Sequence, residues 1–182
     1  AMHTSLGTVN IRPVQPTKDA KTLHTWVTHP RSHFWGALDA SEQEILAEYR
    51  RIETSNAEQA WLLYLDGNPI ALSETYDPKH VVLNTCSEFT LHEGDIGMHI
   101  LVSPPIGKSI HGLTDNIFSA LVRWIFSHGE VNRIVVEPDV SNLGIHRKNA
   151  RTGFTQPGLT TTLTMSGKPK TALIQYCTRP DF

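Results

Sequence analysis

Apolar positions along this chain recur with two periods, near two residues and near three to four, and the two alternate. Residues 8–13 (TVNIRP) read as a first strand. Residues 17–28 carry Leu23, Trp26 and Val27 at helical spacing, and His29-Pro30 ends that helix because proline disfavours helix in the residue before it. Ser41 and Glu44 form a capping box ahead of a helix that runs to about Thr54, with Ile45, Tyr49 and Ile52 on its apolar side. AWLLYLDGNPIALSETY gives two β-rich runs around Asp66-Gly67-Asn68, a hairpin signal. Residues 94–103 read as a longer strand. Residues 114–127 read as a helix that buries Ile117, Leu121, Trp124 and Ile125, with Thr114 as its N-cap. Arg133–Glu137 is a short strand of the buried type. Residues 142–152 make the last helix, with Gly153 at its C-terminal cap. Residues 158–165 and 171–178 read as a closing antiparallel pair. This order predicts a mixed α/β sheet with helices on both faces.

The length of 182 residues suits one domain, 1–182, and Ala1-Met2 read as a remnant ahead of the native start. Hydrophobic residues make up 39% and charged residues 19%, an ordinary globular balance. A net charge of -2 gives no reason to expect nucleic acid or an acidic membrane as a partner. Cys86 and Cys177 lack metal-type spacing, and with no leader or long apolar run a reducing, cytoplasmic location is the expectation. The ten histidines are dispersed, with no HExxH, so no metal site is expected. Oligomeric state is not legible at this level.

Two places carry candidate chemistry. Gly107-Lys108-Ser109-Ile110-His111-Gly112 stands just before the 114–127 helix, where glycines allow close approach to backbone N–H groups and Lys108 adds charge. Strand alternation places Gly97, His99 and Leu101 on one face, with Met98, Ile100 and Val102 on the other. A histidine among such residues is costly without a partner. Its bland reading is a core histidine bonded to a backbone carbonyl. Asp139 follows Pro138 at the C-terminal end of the next core strand, where open α/β sheets place ligands. Its bland reading is an N-cap or turn residue before Ser141-Asn142.

The segments GMHILVSPP, the HGL turn, VEPDVSN and the helix before Arg151-Thr152-Gly153-Phe154 together resemble the acyl-CoA site of the GNAT acyltransferases. With the loop His29-Pro30-Arg31-Ser32-His33-Phe34-Trp35-Gly36 they resemble one branch, the siderophore-biosynthesis acyltransferases. That branch includes the mycobactin lysine, aerobactin hydroxylysine and desferrioxamine types. The helix IHRKNA looks closest to the desferrioxamine type.

The resemblance implies a GNAT fold, with a mixed, mostly antiparallel sheet whose fourth and fifth strands splay. It implies an acyl-CoA, acetyl or succinyl, as co-substrate. The pyrophosphate would lie on Gly107 through Leu113, and the pantetheine arm beside Leu101, Val102, Asn142, Asn149 and Arg151. It makes His99 and Asp139 the catalytic pair and implies an N-hydroxylated diamine, such as N-hydroxycadaverine, as acceptor. Trp35 and Phe34 would wall its methylene chain, His33 would bond the hydroxyl or the acyl tail, and Glu74 would pair with the far ammonium. The chain departs from the superfamily pattern at Gly107 and Ile110 in the pyrophosphate turn. It departs again at Asn149, where many members carry a tyrosine that protonates the leaving thiolate. Either Asn149 donates to the sulfur or the thiolate leaves without help. An acetyltransferase of an ordinary amine and a non-catalytic acyl-CoA-binding module are the alternatives.

Overall fold

A computed structural model describes residues 1–81, 88–165 and 168–179. Cys86 lies outside the described residues, and Cys177 is buried as a free thiol. The elements run β1 (Met2–Thr4), β2 (Gly7–Pro13), α1 (Pro16–Val27), a 3-10 segment (Pro30–Trp35), α2 (Glu42–Glu53), β3 (Glu58–Leu65), β4 (Asn68–Tyr76) and α3 (Pro78–Val81). They continue with β5 (Asp95–Val102), α4 (Leu113–Phe126), β6 (Arg133–Val136), α5 (Leu143–Arg151), β7 (Thr160–Met165), β8 (Lys168–Leu173) and β9 (Gln175–Thr178). Among the described residues, seven strands form one sheet in the order β1-β2-β3-β4-β5-β6-β9, and β7 pairs with β8 separately. The sheet is mixed and mostly antiparallel, with β5 and β6 parallel. The chain divides into two compact units, residues 1–75 with 99–120 and residues 76–98 with 121–182.

In the first unit, α1 and α2 set their apolar faces on β3 and β4. Leu23, Trp26, Val27, Ile45, Tyr49, Ile52, Leu62 and Leu72 form one buried cluster, and Trp35 and Leu101 pack against it. Both ends of α2 are satisfied as its sequence requires: Ser41 accepts from the Glu44 N–H, Glu44 accepts from the Ser41 N–H, and Arg50 and Arg51 occupy the last turn. The β3–β4 hairpin closes on Asp66 and Gly67, with φ of 48° and 81°. Two successive left-handed residues make a type I′ turn, whose twist matches the strands.

In the second unit, β5 starts beside β6 in parallel register, Asp95↔Arg133 through Gly97↔Val135. The register with β6 ends there, whereas β5 runs on to Val102. Glycine at 97 is a packing requirement. A Cβ at that position would stand 2.0 Å from the Tyr76 ring. That ring is fixed, because its hydroxyl sits 2.5 and 2.6 Å from the two oxygens of buried Glu137.

α1 ends before His29-Pro30 as expected, and Pro30 opens a separate 3-10 segment, where the His29 side chain accepts from the Arg31 N–H and Gly36 at φ 83° closes it. The structure corrects three sequence expectations. Met2–Thr4 adds an edge strand on β2. Thr114 lies inside α4 rather than capping it, since Leu113 is already helical and Asn116 donates to the Gly112 carbonyl. The expected pair 158–165 with 171–178 is resolved into three strands. Residues 160–165 pair with 168–173, and 175–178 pair with β6. Ile174 interrupts the assignment because its N–H goes to Leu159, while Leu173 donates to Pro138 and the bridge Asp139↔Ala172 keeps the same alignment.

Gly97→Ala should cost about 1–3 kcal/mol of stability, the usual penalty of overpacking a core. Urea unfolding followed by circular dichroism would check this, and an unchanged midpoint would refute the contact.

Candidate active site

His99, Glu74, Trp35 and Tyr49 are brought together in the first unit, each delivered by a different element. His99 is on β5, with Nδ1 3.5 Å from Glu74 Oε1 of β4, and both side chains are partly buried. Its backbone is held too: Ser73, next to Glu74, donates through Oγ to the His99 carbonyl at 2.9 Å. Trp35, at the end of the 3-10 segment, presents its ring edge-on to the imidazole, 6.1 Å between centroids at 77°. Tyr49 of α2 donates its hydroxyl to Glu74 Oε2 at 2.9 Å. Burial raises the Tyr49 phenol well above its ordinary value, the Glu74 charge adds to this, and a Trp35 hydrogen bond opposes it. The phenol is therefore a proton donor at every working pH. Glu58 of β3 also feels His99, but Arg51 grips its carboxylate at 2.6 and 3.1 Å and chiefly sets its lowered pKa.

Glu74 is partly buried: its Oε2 accepts from a phenol, and its Oε1 faces an imidazole nitrogen at 3.5 Å. Tyr49 is the site residue that sequence reading missed. It fell in the apolar stripe of α2 and passed as core, yet a hydroxyl in that stripe requires a partner, and that requirement was the available signal. His33 and Phe34 lie on the surface with their rings 4.0 Å apart. Leu101 packs its side chain on the first unit's core, and Val102 ends β5.

The turn from Gly107 to Gly112 is exposed throughout and leads into the fourteen residues of α4, with Leu113 as the first. Gly107 and Gly112 adopt φ of 76° and 75°, which explains glycine at both positions. Lys108, Ser109, Ile110 and His111 are all solvent-facing.

In the second unit, Asp139 forms a turn. Its Oδ1 accepts from the Ser141 N–H at 2.9 Å and the Ser141 hydroxyl at 2.6 Å. The Ser141 hydroxyl in particular holds the carboxylate below its ordinary pKa. His146 Nε2 bonds the Asp139 carbonyl at 2.9 Å. Asn142 caps α5 by accepting from the Ile145 N–H, and exposed Arg151 ends it. The far end is a Schellman motif, with Phe154 donating to the Asn149 carbonyl and Gly153, at φ 95°, donating to Ala150.

Asn149 is 2% exposed. Its Nδ2 donates to Gln175 Oε1 at 2.5 Å, and the Gln175 amide nitrogen reaches His146 Nδ1 and Gln156. The residue expected to face the leaving sulfur has one amide N–H committed to this interior network.

Comparison with known proteins now fixes the family. A family model described as an acetyltransferase (GNAT) domain matches residues 15–162. The chain is a GNAT acetyltransferase. It is accordingly an enzyme of acyl transfer. Among curated relatives, the chain is 24% identical to the N-hydroxyputrescine acetyltransferase of Acinetobacter baumannii, over 94% of this chain and 78% of that one. It is 26% identical to an aminoglycoside N(6')-acetyltransferase type 1 of Klebsiella pneumoniae, over 87% and 86%. Among solved structures, it matches the fold of the aminoglycoside acetyltransferase AAC(6')-Ib in complex with coenzyme A and kanamycin. The TM-score is 0.74, with 24% identity over 96% of this chain and 97% of that one.

Replacing Ser141 by alanine should raise the titration midpoint of Asp139 toward the ordinary carboxylate range, because the bond that favours the ionised form is gone. Carboxyl-carbon NMR would check it, and an unmoved midpoint would contradict the assigned cause.

Proposed function

We propose that this acetyltransferase acylates the nitrogen of an N-hydroxylated diamine from acetyl- or succinyl-CoA, giving a hydroxamate of the kind used in siderophores. The observation that carries the reading is the placement of His99 against Glu74 with Trp35 at its edge. It joins a candidate proton acceptor and an aromatic wall on elements whose sequences resemble those of the siderophore branch. The relation to an N-hydroxyputrescine acetyltransferase supports the same substrate class.

An alkyl hydroxylamine is far less basic than an alkylamine and is mainly neutral near pH 7. Its nitrogen attacks the thioester carbon, the N–C bond forms, and the adduct nitrogen becomes strongly acidic. The His99 imidazole accepts that proton. The C–S bond then breaks, the sulfur leaves as thiolate and takes up the proton, and the products are the hydroxamate and CoA thiol. A thiolate is stable enough to depart unaided, so a buried Asn149 in the usual tyrosine position is compatible with turnover. Asp139, kept ionised, is the alternative acceptor for that single proton, which is acidic enough for a carboxylate to take. The Gly107–Leu113 turn takes the pyrophosphate with backbone N–H groups and the Lys108 charge. Leu101 and Val102 of the first unit offer strand backbone to pantetheine; in the second unit, Asn142 and Arg151 are the proposed CoA-binding residues. Trp35, Phe34 and His33 line the path of the diamine chain.

The test is CoA release from acetyl-CoA and succinyl-CoA with cadaverine and N-hydroxycadaverine in parallel. Release with the hydroxylated amine, giving a product that colours with ferric ion, is expected. Release with cadaverine alone would replace this reading by an ordinary amine acetyltransferase. Binding of acyl-CoA without release, across a wide amine panel, would indicate a binding module. His99→Ala should lower kcat about 100-fold with the KM for acyl-CoA little changed. Asp139→Asn keeps an acceptor for Ser141 while removing the charge, so it should lower kcat if Asp139 takes a proton. An undiminished rate would reduce Asp139 to a turn-former.

A further inference from the structure

We propose that Glu74 and Tyr49 are positioning residues that hold His99 in the tautomer that carries its proton on Nδ1, toward Glu74, so that Nε2 is the basic nitrogen. The inference rests on His99 being the proton acceptor of the reaction above, and it gives Glu74 a different task from pairing with a distant ammonium.

The two oxygens of Glu74 have separate partners: Oε2 accepts from Tyr49 at 2.9 Å, and Oε1 faces His99 Nδ1 at 3.5 Å. A carboxylate is planar, so fixing one oxygen fixes the direction of the other. Tyr49 can do this because it is 3% exposed, its ring is packed in the core cluster, and it has only two side-chain torsions. Its hydroxyl has one proton to give. Trp35 places its ring edge beside the same imidazole. Tyr49, Glu74, His99 and Trp35 thus meet from α2, β4, β5 and the 3-10 segment, and Ser73 locks the His99 backbone.

A carboxylate accepts and does not donate, so the imidazole nitrogen facing it must carry the proton. In a neutral imidazole the other nitrogen is then the acceptor. The 3.5 Å separation is long for a hydrogen bond, as such contacts often are in ligand-free enzymes. Glu58 does not compete for this role, because Arg51 holds its carboxylate.

The experiment compares wild type, Tyr49→Phe and Glu74→Gln by nitrogen-15 NMR of histidine-labelled protein without substrates, and by steady-state kinetics. Both substitutions keep the shape of the side chain, so the fold is retained. Wild-type His99 is expected as the Nδ1–H tautomer, and each variant as a mixture. The kcat should fall about tenfold in Tyr49→Phe and about 100-fold in Glu74→Gln, to the same extent for an N-hydroxylated diamine and a monoamine, with KM values within about twofold.

A wild-type Nε2–H tautomer, or tautomer and kcat unmoved by both substitutions, overturns the proposal. A KM increase in Glu74→Gln confined to the diamine overturns it in favour of the ammonium pair. If the tautomer moves as expected but no hydroxylamine is acylated, the positioning stands and the substrate assignment fails. If hydroxylamine is acylated and both variants match wild type, the substrate assignment stands and the positioning fails.

Discussion

A carboxylate on a partly buried strand must be satisfied on both oxygens, and at Glu74 that requirement organises the first unit around it. Leaving either oxygen unpaired in such a place would cost more than a typical hydrogen bond contributes. The phenol that answers one oxygen comes from the core face of α2, and the imidazole that answers the other comes from β5. Helix packing, strand register and the orientation of the His99 imidazole are therefore one problem. The capping box and the apolar stripe of α2 do more than stabilise a helix, since they place Tyr49 at the depth where its hydroxyl meets β4.

A different constraint acts on the second unit. The Tyr76 ring, fixed by Glu137, leaves no room for a side chain at residue 97. Glycine there lets β5 lie close to β4's last residue while it pairs with β6 for three positions. Two positions after Gly97 the strand carries His99, the proton acceptor proposed above. Gly-Met-His thus sets a packing glycine two positions from that proposed acceptor. Asp139 shows a similar overlap. The same oxygen that shapes the turn with Ser141 is kept ionised by doing so.

Belonging to the GNAT acetyltransferases settles the class of reaction and leaves the acceptor open, because one fold serves many acceptors. Relatives of similar identity act on an N-hydroxylated polyamine and on aminoglycosides. What separates these acceptors chemically is basicity: an ordinary amine must lose a proton before attack, and a hydroxylamine need not. A histidine backed by a carboxylate suits the removal of one acidic proton as the bond forms.

Much of this protein is decided within short windows of sequence. The capping box at Ser41, the Asp66-Gly67 turn, the Asn142 cap and the Gly153 terminus are local, because each is a bond or torsion among residues a few positions apart. The glycine turn before α4 and the chemical types at positions 99 and 139 could be picked out the same way. The edge strand Met2–Thr4 escaped notice because three residues carry too little periodicity. The division of 171–178 escaped because it depends on which chain, Leu159 or β6, takes each N–H. Local pattern determined that His99 and Glu74 lie on strands and that Tyr49 lies on the buried side of a helix. Only the tertiary structure decided that these three meet, because a contact across 25 residues or more is set by packing and sheet order, and no periodicity within any one segment encodes it.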